Sequence, residues 1–128
     1  MIKKPENILK EWMSAVNKGD IKSLLSFYDK KAILIPTFSN RILSSPKEIR
    51  KYFERLLSRE ELSLAFHNNT LNIQSIKNDT YVLSGIYCWR FAIAGELFSF
   101  EARFCCIMDL ALLNPIIHHH SSQIPIML

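Results

Sequence analysis

Tyr81-Val82-Leu83-Ser84-Gly85-Ile86-Tyr87-Cys88-Trp89-Arg90-Phe91 and, past Gly95, Leu97-Phe98-Ser99-Phe100-Glu101-Ala102-Arg103-Phe104-Cys105-Cys106-Ile107-Met108 decide the fold. Both runs are rich in aromatic and β-branched residues, which suit a pleated, half-buried surface better than a helix. Gly95 marks the turn between them, so the two predict a long antiparallel pair. Upstream, Leu71 to Ile76 alternates and Asn78-Asp79 supplies another turn. Downstream, a last strand is expected from about Ile116 to Ser122. Everything after Leu62 reads as strand.

The first half reads as helix. Pro5 suits a first helical position, and Ile8, Trp12, Ala15 and Val16 form one apolar face at 3.6-residue spacing. Gly19 ends that helix, and Asp20 can cap a short second one carrying Ile21, Leu24, Leu25 and Tyr28. Ala32-Ile33-Leu34-Ile35 reads as a buried strand stopped by Pro36, with a loop from Thr37 to Ser44. Ser45-Pro46-Lys47-Glu48 is a capping box that opens a helix with Ile49, Tyr52, Phe53, Leu56 and Leu57 on its apolar face. Helices followed by long strands predict an α+β domain: N-terminal helices packed on a strongly curved antiparallel sheet, cone-shaped, with an open mouth.

Length and composition agree with this. The 128 residues suit one domain spanning 1–128, with 48% apolar and 22% charged residues. That balance excludes disorder and collagen, and no apolar stretch approaches the ~20 residues a bilayer span requires. The opening MIKKPENILKEW lacks the apolar segment of a signal peptide, so a cytoplasmic location is expected. Sixteen basic against twelve acidic residues give +4, but the cations read as scattered (Lys3, Lys4, Lys30, Lys31, Arg50, Lys51), without the basic stripe of a nucleic-acid binder. Neither nucleic acid nor membrane is an expected partner. Cys88, Cys105 and Cys106 lie in apolar strand sequence with no CxxC, and read as reduced thiols.

The chemistry concentrates in His118-His119-His120-Ser121-Ser122. On a strand, His118, His120 and Ser122 share one face while His119 and Ser121 share the other. His-x-His could offer two ligands to a metal, but a catalytic zinc requires three, His67 is the remaining histidine, and no carboxylate is placed to help. No metal and no cofactor are expected. Hydroxyls directly after the histidines suit a hydrogen-bonded relay. Thr37 and Ser39, where a strand ends, and Tyr52 on the capped helix are the other polar candidates. Arg103 and Glu101 share a strand face, where an ion pair is the plain reading. The outward phase of the long strands (Leu97, Cys105, Ile107 and Trp89, depending on register) is apolar enough to predict a homodimer through the sheet.

Pro36-Thr37, Ser39, Tyr52-Phe53, Gly85-x-Tyr87, Ala102-Arg103-Phe104 and the terminal His118-His119-His120-Ser121-Ser122-x-x-Pro125 together resemble the iota-class carbonic anhydrases. Those are relatives of the calcium/calmodulin-dependent protein kinase II association domain within the nuclear transport factor 2-like (SnoaL-like) superfamily. The resemblance runs from Trp12 to Pro125. It implies hydration of carbon dioxide to bicarbonate without a metal, with Thr37, Tyr52, His120 and Ser122 as the catalytic set. His118, His119 and Ser121 would be the other phase of the last strand, and Ser39 and Arg103 would be substrate-binding. The alternative is a non-catalytic association domain that oligomerises and holds a small carboxylate. A polyketide-cyclase or isomerase chemistry would require a pocket acid beside histidine, and only Glu101 and Asp109 lie in the long C-terminal strands.

Overall fold

The computed structural model describes residues 3–125. Helix α1 runs Pro5–Lys18 and α2 Ile21–Ser26; strand β1 follows at Tyr28–Ile35, then α3 at Pro46–Leu57. The remaining strands are β2 (Ser63–Phe66), β3 (Asn72–Lys77), β4 (Thr80–Ile93), β5 (Glu96–Asp109) and β6 (Ile116–Gln123). The local signals act as expected. Asp20 accepts from the Ser23 amide at the start of α2. Ser45 accepts from the Glu48 amide while Glu48 reaches back to the Ser44 amide, the reciprocal box that satisfies the first turn of α3. Gly19 takes the left-handed conformation (φ 67°) that closes α1.

The sheet order is β1-β6-β5-β4-β2, with β3 also paired to β4. Two-residue turns join β3 to β4 through Asn78-Asp79 and β4 to β5 through Ala94-Gly95; Asn78, Ala94 and Gly95 have positive φ. The sheet is mixed where an antiparallel one was expected, because β1 lies parallel to β6. This follows from α3 and four further strands intervening before the chain returns to pair with β1. Tyr28, expected on the helical face of α2, instead opens β1, since α2 ends at Ser26.

The concave face carries the core. Leu83, Tyr87, Trp89 and Phe91 of β4 and Ala102, Phe104, Cys106 and Met108 of β5 point inward against Ile8, Trp12 and Val16 of α1 and Ile49, Phe53 and Leu56 of α3. Trp89 is therefore core, not part of the outward apolar phase. Gly85 is demanded by space: a Cβ there would lie 3.3 Å from the Phe104 ring, which stacks on Tyr87 with centroids 4.6 Å apart, and 3.2 Å from Thr70 Oγ1.

β2 is the last strand on its side of the sheet, and a side chain completes it. Asn17 of α1 donates to the Leu64 carbonyl (2.9 Å) and accepts from the Leu64 amide (2.7 Å), the pattern a neighbouring strand would supply. Replacing both bonds with water forfeits about 1–2 kcal/mol. Denaturant titration of Asn17→Ala should show that loss, while Lys18→Ala, exposed beside it, should stay within ~0.5 kcal/mol of the unaltered chain.

Candidate functional site

The phase of β6 decides which histidine enters the fold. Ile116 is fully buried, and strict alternation from it would turn His118, His120 and Ser122 inward. A bulge intervenes: Met108 pairs with Ile116 but Ile107 with His118, leaving Ile117 as an extra residue. Beyond it the inward residues are His119 and Ser121, both buried, while His118, His120 and Ser122 face out. His120 and Ser122, expected to face inward, thus lie on the outer phase of β6, where Ser122 still reaches the rim of the open pocket beside Thr37. His120 Nε2 instead meets Ser122 Oγ on the outside at 2.9 Å.

Inside, polar groups form a line. The Trp12 indole N–H donates to Tyr28 Oη (3.0 Å), Tyr28 Oη lies 2.9 Å from His119 Nδ1, and Tyr87 Oη lies 3.2 Å from His119 Nε2. One assignment satisfies every donor. Tyr28 accepts from Trp12 and donates to Nδ1, and the Nε2–H donates to Tyr87, whose own hydrogen is free to point onward. The Ser121 and Thr37 hydroxyls lie beyond, in direct contact with one another. Both lower the Tyr87 pKa, against the larger upward push of burial. Burial also holds Tyr28 and Tyr52 well above the usual phenol value. For the imidazole, burial acts the other way, with help from His118 and His120, and pulls His119 down to about 3. His119 is a neutral, fully engaged ring at ordinary pH.

Thr37 and Ser121 thus come together, with Tyr87, which the sequence reading left out of the site, between them and His119. Gly85-x-Tyr87 was the available signal, since two steps from a glycine that admits Phe104 the phenol is pinned in place. Thr37, Ser39, Ser121 and Ser122 line a shallow, open pocket of about 300 Å³. Tyr52 stands to the other side, its hydroxyl accepting from the Phe38 amide at 3.3 Å. Arg103 is not with them. It lies opposite Ser122 on the outer face, because Ala102 and Phe104 take the inner positions. Its expected ion-pair partner Glu101 pairs with His67 instead (2.7 Å). Among the described residues no three His, Cys, Asp or Glu side chains converge as a metal site would require.

A larger cleft, about 830 Å³, opens between α3 and the far ends of β4 and β5. Phe38, Leu56, Phe91, Ile93 and Phe100 make its apolar wall, and Arg41, Lys47, Lys51, Arg55 and Arg59 its charged one. Lys47, Lys51, Arg55 and Arg59 recur every four residues, so cations spread along the sequence come to one side of the fold.

The sequence profile of the calcium/calmodulin-dependent protein kinase II association domain family matches residues 4–125. The chain belongs to that family. No curated protein matches it. Among solved structures, it is similar to a Xanthomonas campestris protein described as a calcium/calmodulin-dependent protein kinase II association domain, at 24% identity and TM-score 0.84, over 95% of this chain and 86% of that one. It is also similar to a Streptomyces avermitilis protein described as a dehydratase of the nuclear transport factor 2-like family (12%, TM-score 0.81, 94% of each chain). A ketosteroid isomerase-like protein from Erwinia carotovora atroseptica superposes with TM-score 0.78 at 10% identity, over 94% of each chain. These likenesses establish the fold, an α+β cone of the nuclear transport factor 2-like type. No helix among the described residues is long and apolar enough to cross a membrane.

A buried neutral histidine makes stability acid-sensitive. The folded pKa lies below the unfolded value of 6.5, so the unfolded chain binds the extra proton between about pH 6.5 and 3, and stability falls as pH drops through that window. The loss attributable to His119 should approach about 3 kcal/mol at pH 4. Denaturant midpoints at pH 7, 5 and 4 for the unaltered chain and His119→Gln measure it: the variant should be less stable at pH 7 and show a shallower acid dependence.

Proposed function

We propose that the chain hydrates carbon dioxide at the Thr37–Ser121 hydroxyl pair, without a metal. The observation that carries this reading is the pair itself: two hydroxyls in contact, at the wall of an open pocket, backed by Tyr87 and His119. Hydration requires a water aimed at the carbon and an acceptor for its proton. Each hydroxyl both donates and accepts, so the pair can hold the water and pass hydrogens along without itself becoming charged. His119 is not the base, since both ring nitrogens are engaged and burial opposes its protonation. It positions Tyr87, whose hydrogen turns to the Thr37–Ser121 pair and leaves that pair's outer hydrogen to meet the oxygen that gains charge as bicarbonate forms. The proton leaves through solvent in the pocket, and His120, joined to Ser122 at the pocket's rim, is the imidazole placed to carry it to bulk.

A second reading rests on the outer face of the sheet. Ile33, Ile35, Val82, Ile86 and Ile107 are half-buried there in the single chain. In this reading the chain is a non-catalytic association domain that forms a homodimer through that face and holds a small carboxylate in its interior. Light scattering should return twice the chain mass in either case, and a monomer would remove the dimer from both.

Stopped-flow hydration of carbon dioxide on chelator-treated protein separates the two. The catalytic reading expects a rate above buffer, about 10²-fold lower in Ser121→Ala and in Thr37→Val. His120→Ala should slow the reaction about tenfold in weak buffer and recover in imidazole buffer. No rate above buffer at high protein concentration would leave the association domain as the function.

A further inference from the structure

The expectation of no nucleic-acid partner rests on cations spread along the sequence, and the fold gathers them. Five of the chain's sixteen cations line the larger cleft against a single acid, Glu48, so the remaining eleven of each sign cancel and the cleft holds the whole net charge of +4. Glu48 does little to offset its neighbours, because the Ser44 amide, the Ser45 hydroxyl and Arg41 already hold it. Lys47, Lys51 and Arg55 are exposed and follow one another a helical turn apart on α3, with about 5–6 Å between successive Cβ atoms. Arg59, also exposed, continues the row just past the end of the helix. That spacing is close to the step from one phosphate to the next along a single nucleic-acid strand.

The facing wall is aromatic. Phe91 of β4 lies directly opposite Phe98 of β5, and Phe100 follows on the same face of that strand. Phe100 stacks on Phe91 with centroids 5.0 Å apart and planes 27° from parallel, and Phe98 stacks on Phe100 at 6.4 Å and 29°. Phe91 is buried, whereas Phe98 is 40% exposed. Arg59 lies over the Phe91 ring, 5.4 Å from its centroid, so the row of cations meets the row of rings there. A phenyl ring has no polar atom with which to choose among bases, and it stacks on any of them. One wall therefore suits a sugar–phosphate backbone and the other its bases. A duplex keeps its base faces inside its own stack, so the strand must be single. A membrane would require these groups on a protruding face, and they line a concave one. An acidic peptide would leave the rings without flat partners. Beyond Arg59, Glu60 (its carbonyl accepting from the Ala92 amide) and Glu96 (opposite Ile93) stand at the tip of the β4–β5 hairpin. Their charge ends the path, so the row takes about four phosphates.

We propose that this groove binds single-stranded nucleic acid without regard to sequence. Successive phosphates rest against Lys47, Lys51, Arg55 and Arg59, and a base stacks on Phe98 beside Phe100.

Fluorescence anisotropy with labelled oligothymidylate and oligouridylate of about eight nucleotides, at low salt, tests both walls. At least one strand should bind saturably, and the tighter of the two identifies the preferred sugar. The logarithm of its binding constant should fall with that of the salt concentration at a slope of about −3, the value for four phosphates of a single strand. Lys51→Gln/Arg55→Gln should flatten that slope by about half. An abasic strand of equal length should bind the unaltered chain about tenfold less tightly. Phe98→Ala, at an exposed position, should cost the base-bearing strand about the same factor and leave the abasic strand unaffected. No saturable binding of either strand, an abasic strand or polyglutamate binding as tightly, or affinity unmoved by the Lys51/Arg55 pair would each overturn the proposal. The readout is binding alone, so carbon dioxide hydration can fail or succeed without affecting it.

Discussion

One neutral imidazole, clasped at both nitrogens by phenols, ties this molecule together. Through it α1 (by way of Trp12), β1 (Tyr28), β4 (Tyr87) and β6 share a single line of hydrogen bonds inside an otherwise apolar core. Such a line favours one arrangement sharply, since any slip would strand a buried donor or acceptor in a medium that cannot repay it. It also sets a direction. With Trp12 able only to donate, the hydrogens run from α1 toward Thr37 and Ser121, and the last free hydrogen arrives where the chain meets solvent.

What could be read beforehand was whatever the chain decides locally. Ser45 with Glu48, Asp20, Gly19 and the two short turns at Asn78 and Gly95 each act within four residues, and each stands where expected. The phase of the last strand is a different kind of fact. The bulge at Ile117 exists because both Ile116 and His119 are wanted inside, one against Tyr28 and Met108, the other between the phenols. No property of Ile116 to Ser122 taken alone reveals that. Tyr28 misled for a related reason: four residues after Leu24 it continues a helical stripe, yet its partners lie across the fold on β6. Arg103 and Glu101 were placed on one face correctly, but which face, and that Glu101 turns to His67, depended on pairings outside the strand.

Two neighbouring residues divide the interior between two uses. Thr37 turns its hydroxyl to Ser121, while Phe38 turns its ring the other way, over Trp89 and into the cationic cleft. Tyr52 holds the backbone between them by the Phe38 amide. The cleft's charge was hidden in plain sequence because its members come from three places: Arg41 from the loop, three cations from α3, and Arg59 from just beyond it. Only the fold sums them.

Asn17 carries a final implication. An open strand edge is a template for unwanted partners, and proteins usually guard it with charge, proline or a covering element. Here the guard is one amide that imitates a strand a single residue long. Because that amide rides on α1, the seal lasts only while the helix stays docked. Fraying of α1 would at once bare the hydrogen-bonding edge of β2 and the aromatic core beneath it, making the N-terminal helix the molecule's safeguard against self-association into aggregates.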